Sequence, residues 1–241
     1  MRPSAPVWLL TLLAAALVVA FIQLGRWQWY RGAASAASRE AFARGADAVE
    51  VLGSSKLGEV ARFARVSTSG HYRADRQFLL DNRTHNGAPG YEVLTPLELT
   101  DGRIVLVDRG WVAFTGSRAR LPDVSLAESA PLELSGRVAA LPRAGLASGR
   151  AAPTLTGPWP RVTSFPTPAE LSAAFGAPLE ARILLLDPTA PAGLVREWQP
   201  PGMSPLRHLA YAIQWWCFAA LALIVWAVLG VRRARAARAR P

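Results

Sequence analysis

The chain has 241 residues, of which 51% are hydrophobic and only 18% charged, below the roughly 25% charged share usual for soluble globular domains. This excludes a disordered chain and an ordinary water-soluble one. Of 27 basic residues 26 are arginines, and the formal net charge is +10, but five of those arginines (Arg232, Arg233, Arg235, Arg238, Arg240) lie in the last ten residues. Arg26 to Arg207 carries 21 basic against 17 acidic residues, with no basic stripe interleaved with aromatics, so no nucleic-acid partner is expected.

In chain order, residues 1–6 are predicted to be a short cytoplasmic N-terminus. Val7–Leu24 follows without a formal charge, long enough for a hydrocarbon core that needs ~20 apolar residues, and predicts a transmembrane helix over 7–25. A cleaved signal peptide is the alternative, since Ala34-Ser35-Ala36 offers a cleavage site. The run is too long for a signal core, however, and only Arg2 precedes it. Ala33–Ala48 reads as a helical extension or connector. Residues 26–207 are predicted to form one extracytoplasmic β-rich domain with strands at Phe63–Ser69, Gln77–Leu80, Tyr91–Leu99, Ile104–Val112, Leu132–Leu141 and Arg182–Leu186. Asn86-Gly87, Pro89-Gly90 and Asp101-Gly102 punctuate them, the last as a tight hairpin. Ala144–Pro160 reads as a loop. Thr167-Pro168-Ala169-Glu170 predicts a capped helix over Pro168–Phe175 that stops at Gly176.

Leu209–Val231 is again uncharged and gives a second transmembrane helix over 208–231, followed by a cytoplasmic Arg-rich tail over 232–241. That tail outweighs Arg26 and Arg31 after the first span, which puts both termini in the cytoplasm and the middle domain outside. The fold class is therefore a membrane protein of α+β type. Two transmembrane helices flank one antiparallel β-sandwich or β-barrel-like domain with a short helix.

Catalytic signatures are absent: no nucleophile elbow, phosphate loop, dinucleotide fingerprint or zinc-protease helix occurs, and no enzyme activity is expected. The single cysteine, Cys217, lies inside the second apolar run, and Met203 is the only methionine besides Met1. Neither a copper site nor a cysteine-based zinc site is expected. His71 and His85 fall in β and turn segments and read as structural. His208 stands just before the second apolar run, beside Arg207, with Tyr211 and Trp215 at i+3 and i+7 on one helical face. It reads either as a headgroup-depth anchor or as a haem ligand, with arginine for propionates and aromatic faces for the macrocycle. Gln214 is a polar side chain within the span, where such groups face protein. Asp81 with Arg83, and Asp108 with Arg109, read as pairs that close strand ends, with partner binding as the alternative.

Four ordered motifs carry a resemblance. Leu24-Gly-Arg-Trp-Gln-Trp-Tyr-Arg31 contains Trp27, Gln28 and Arg31 in the pattern L-G-x-W-Q-x-x-R. It is followed by Gly70-His-Tyr72 through Leu79-Leu-Asp-Asn-Arg83 to Pro89–Leu97, then Val105-Leu-Val-Asp-Arg-Gly-Trp-Val112, then His208-Leu-Ala-Tyr-Ala-Ile-Gln-Trp215. Together they resemble the surfeit locus protein 1 family of cytochrome c oxidase assembly factors. The resemblance implies a multi-pass protein of the bacterial cell inner membrane that binds haem a and helps insert it into oxidase subunit I. Oxidase subunit I, other oxidase assembly factors and the lipid bilayer are its implied partners. It places the family's membrane histidine, the haem-iron ligand, on His208. Arg207 stands where mitochondrial-type members have asparagine, and Ala144–Pro160 matches no family motif. A cofactor-free scaffold for nascent subunit I stays open beside the haem reading; a membrane-anchored hydrolase is weaker, for want of a nucleophile and base.

Overall fold

The computed structural model describes residues 7–45, 48–126, 131–144 and 149–239. The predicted N-terminus 1–6, the end of the tail including Arg240, and 145–148 of the expected loop lie outside them. The chain divides into two compact units: Met1–Glu40 with Pro200–Pro241, and Ala41–Gln199.

The first unit is a pair of long helices, α1 (Val7–Arg44) and α3 (Pro205–Arg238). Both are long and apolar enough to cross a membrane. They overrun the expected spans of 7–25 and 208–231: Ala33–Arg44 continues α1 as one helix, because Ala, Ser, Arg and Glu there offer nothing that stops it. α3 starts where Ser204 caps the backbone N–H of Arg207, with Pro205 at the first helical position.

The second unit holds β1 (Val49–Val51), β2 (Arg65–Tyr72), β3 (Phe78–His85), β4 (Ala88–Leu99), β5 (Ile104–Ala113), β6 (Leu132–Ala140), β7 (Arg161–Thr163), α2 (Pro168–Phe175) and β8 (Arg182–Leu186). The strand order is β1-β2-β6-β8-β5-β4-β3-β7, and β2 pairs again with β4, so β2, β6, β8, β5 and β4 close into a ring. Closure removes edges from those five strands. Gly70 permits it, since a Cβ there would overlap the backbone carbonyl of Glu98 at the β2–β4 crossing.

One expectation is corrected. The sheet is mixed rather than antiparallel: β1–β2, β3–β7 and β5–β8 are parallel. Strand periodicity tells which face a residue takes but not which strand runs beside it, and the two three-residue strands β1 and β7 are too short to carry a period.

The strands bury both faces. Val105 and Val107 of β5 and Leu184 and Leu186 of β8 join Val66, Leu97, Leu134 and Val138 in one core. The alternate residues Leu106 and Ile183 join Phe78, Leu80 and Leu94 under α2, which lays Leu171, Ala174 and Phe175 on them. A third core gathers Leu79, Tyr91, Val93 and Val124. Two buried faces explain why these strands read as continuous apolar runs. α2 has the expected capping box between Thr167 and Glu170, and ends at Gly176 with φ 89°. Asn86-Gly87 and Gly102 make the two hairpin turns with positive φ.

Candidate cofactor site in the helix pair

Along α1 the residues withdrawn from the surface include Thr11, Ala14, Val18, Phe21, Gly25, Gln28, Gly32 and Ser35, alternating by three and four. On α3 they include Pro205, His208, Ala212, Trp215, Ala219 and Ala222. This 3.5-residue repeat is the seam of two helices packed along their length. Four contacts fix it as antiparallel. Ser35 Oγ donates to Met203 O at 2.7 Å, His208 Nδ1 meets Gln28 Oε1 at 2.8 Å, Phe21 stacks on Trp215 at 5.8 Å between centroids, and Trp226 Nε1 donates to Thr11 Oγ1 at 3.2 Å. Small residues allow the close approach. A Cβ on Gly25 would overlap the Trp216 indole, and one on Gly32 would come within 3.2 Å of His208 Cβ.

Gln28 and His208 are thus brought together inside the seam, with His208 only 9% exposed. With the Gln28 amide oxygen as acceptor the ring donates through Nδ1, and of the two neutral tautomers that is the one that leaves the Nε2 lone pair free. Nε2 has no hydrogen-bond partner among the described residues and is not among the sealed polar atoms.

The other predicted residues divide by side. Trp29 and Trp216, 6.3 Å apart between ring centroids, each follow an inward residue and mark one side of the pair. In an antiparallel pair, the residues that precede inward positions line the opposite side. These are Trp27 and Arg31 on α1, and Arg207, Tyr211 and Gln214 on α3. All five are exposed, and the Arg31 guanidinium lies 5.9 Å from the Trp27 ring centroid. Trp215 does not join them; it is in the seam against Phe21. Gln214 was expected to face protein, but it turns outward from α1 and makes no hydrogen bond among the described residues. Trp27 likewise faces out.

That side carries two guanidinium groups and two large aromatic faces, next to the seam in which the His208 imidazole stands. The set would suit a flat apolar group that carries carboxylates and a metal able to take an imidazole nitrogen. A separate cavity of about 870 Å³ opens between the helices from Leu10 to Phe21 and from Phe218 to Ala237. It is walled almost wholly by apolar side chains and touches none of the predicted site residues.

In the β unit the two Asp–Arg pairs do not form. Asp81 bonds to Arg118 and accepts from the Asn82 backbone, while Arg83 pairs with Glu92 at 3.0 Å. The chain bulges between Leu80 and Arg83, with Asn82 at φ 60°, which turns Arg83 away from Asp81. Asp108 accepts from Gly110 N at 3.0 Å, mid-strand. Its burial, with Glu92 nearby, pushes its carboxyl well above the usual range, and burial also raises Glu92. Arg109 is 2% exposed and ends on three oxygens, Ala192 O, Gln77 Oε1 and Val124 O, at 3.0–3.2 Å. Burial lowers its pKa. These residues clamp loops to the barrel. Glu92 went unremarked in the sequence because its partner arrives only through strand register.

A family model for the SURF1 family matches residues 15–220, across both units and all four motifs. The chain belongs to the SURF1 family. Curated relatives include uncharacterized SURF1-like proteins of Mycobacterium tuberculosis and Mycobacterium bovis, each 32% identical over 169 residues, 68% of this chain and 58% of theirs. A SURF1-like protein of Dictyostelium discoideum is 42% identical over 53 residues, 22% of this chain and 20% of its own length. The chain thus matches less than two thirds of the length of each. The SURF1 family is known generally as one of cytochrome oxidase assembly factors, and its signatures here divide between the seam and the barrel's clamps.

Proposed function

We propose that this SURF1 family member is an assembly factor for cytochrome c oxidase that holds haem a on the helix pair and hands it to subunit I. The observation that carries the reading is the His208 imidazole, oriented by Gln28 with Nε2 unpartnered, beside a side that gathers Arg31, Arg207, Trp27 and Tyr211. Haem supplies an iron that accepts an imidazole nitrogen and two propionates that accept guanidinium hydrogen bonds. His208 Nε2 is the iron ligand. Trp27 and Tyr211 cover an apolar face, and Arg31 and Arg207 hold carboxylates. No substrate is converted, because loading and release only make and break coordination and hydrogen bonds. The barrel is the extracytoplasmic domain of a bacterial inner-membrane protein whose termini are cytoplasmic, as the arginines after α3 favour.

The test is the haem a content of oxidase in membranes from cells that lack this protein, complemented with the wild type or with His208→Ala. Wild type restores the oxidase haem a, and the variant, present in the membrane at equal amount, leaves it low. Full restoration by His208→Ala contradicts the haem reading and favours a scaffold without cofactor.

A further inference from the structure

Gln28 lies on the helix opposite His208, 180 residues away in sequence, and their side chains meet at 2.8 Å in the part-buried seam between the two helices. An imidazole without a partner has two neutral tautomers, and only one leaves Nε2 free. The acceptor at Nδ1 decides between them. Gly32, one turn along α1, brings the backbones close enough for this: a Cβ there would already crowd His208 Cβ at 3.2 Å and Pro205 O at 3.6 Å. Besides Gln28 no side chain among the described residues bonds the His208 ring.

We infer that Gln28 is a positioning residue which locks His208 in the Nδ1–H tautomer, so that the Nε2 lone pair is ready for a metal before any metal arrives. The inference rests on the proposed haem site for its use, but the tautomer exists in the metal-free protein and is measured there. A neutral amide suits this role, since it orients the ring and withholds a full negative charge. A carboxylate in its place would raise the basicity of the ring as a ligand. An apolar side chain would leave Nδ1–H without an acceptor, and the proton would move to Nε2, which reaches the surface of the pair.

The experiment is ¹⁵N NMR of histidine-labelled, haem-free protein in detergent. Only His71, His85 and His208 contribute, and His208→Ala assigns the third by subtraction. Wild type and Gln28→Glu show His208 as Nδ1–H; Gln28→Leu shows mainly Nε2–H. Haem titration of the same samples gives the second readout. Gln28→Leu binds about 10–100-fold more weakly, and Gln28→Glu binds with a lower reduction potential than wild type. Gln23→Leu, on the exposed back of α1, leaves both readouts unchanged and controls for loss of a polar group in the span. A wild-type Nε2–H form, or Gln28→Leu with wild-type tautomer and affinity, overturns the inference. His208→Ala that binds haem as the wild type does contradicts the haem site instead, and leaves the tautomer result to be judged by itself.

Discussion

The two units solve the packing problem with opposite residues. In the barrel Phe78, Leu80, Leu94, Leu97, Leu106 and Leu184 are all at or within 1% of complete burial. In the helix pair Leu12, Leu13, Leu221 and Ile224 are more than half exposed, while the seam takes mostly glycine and alanine together with Gln28, His208 and the stacked Phe21 and Trp215. A water-soluble core gathers the large apolar side chains because water rejects them. A pair of membrane-length helices gains nothing from that, since lipid is as apolar as leucine, and so associates through small residues and a few internal hydrogen bonds. Polar groups consequently carry opposite meanings in the two units. Arg109 in the barrel is a clamp that donates to three oxygens from two loops and a neighbouring side chain; His208 in the seam keeps a nitrogen in reserve.

Truncation of a barrel leucine separates the two units most strongly. Leu94→Ala removes a fully buried side chain and is expected to destabilise the β unit by about 2–5 kcal/mol, seen as a lower thermal midpoint for loss of β-sheet signal in detergent. Leu221→Ala, the same change on an exposed helix face, is expected to cost no more than about 0.5 kcal/mol. Equal effects would erase the distinction.

Gly25→Leu reverses the experiment, adding bulk where the pair is tightest. The new side chain collides with Trp216, at a cost of about 1–3 kcal/mol, and separates Gln28 from His208. Disulfide cross-linking between cysteines placed at positions 35 and 203 reports the seam; it is expected to fall in the Gly25→Leu background while the barrel's thermal midpoint holds.

Thr167→Ala sharpens the account of the barrel at smaller scale. It removes one half of the α2 capping box and is expected to cost about 1 kcal/mol, read from the same thermal midpoint.

The subtlest test is one of sign. A carboxyl whose folded pKa is raised favours the fold while protonated, and that contribution is lost as pH climbs from the unfolded value, about 4, through the folded one. Asp108 and Glu92 are both raised by burial, so together they make the barrel less stable on the neutral side of that window than on the acid side. Asp108→Asn keeps an acceptor for Gly110 N and removes the titration. Its thermal midpoint is expected to equal or exceed the wild type at neutral pH and to vary less between pH 4 and 7. A lower neutral midpoint with unchanged pH dependence would mean that Asp108 is charged and held by partners instead.

Local rules made much of this legible in the sequence. β8 and α2 occupy the predicted residues, and the capping box, the Gly176 stop and the two hairpin turns follow from residue chemistry at fixed offsets. The spans were readable because charge is expelled from a whole segment at once. Nonlocal information was not. The parallel pairings of β5 with β8 and β3 with β7, the Arg83–Glu92 pair and the bulge at Asn82 all depend on which strand arrives alongside. In the candidate site, the first and last motifs named Gln28 and His208, but spacing on one helix grouped Trp215 with Arg207 and Tyr211. Only the second helix decides which face is the seam, and it takes His208 and Trp215 inward while it leaves Arg207, Tyr211 and Gln214 outside.

The absorption spectrum of the detergent-purified protein from cells that make haem a reports whether the seam holds a ligand-ready histidine for haem. The wild type is expected to show a haem spectrum that is lost or shifted in His208→Ala, with both proteins folded and at equal yield. An identical spectrum and haem content in the two would contradict it.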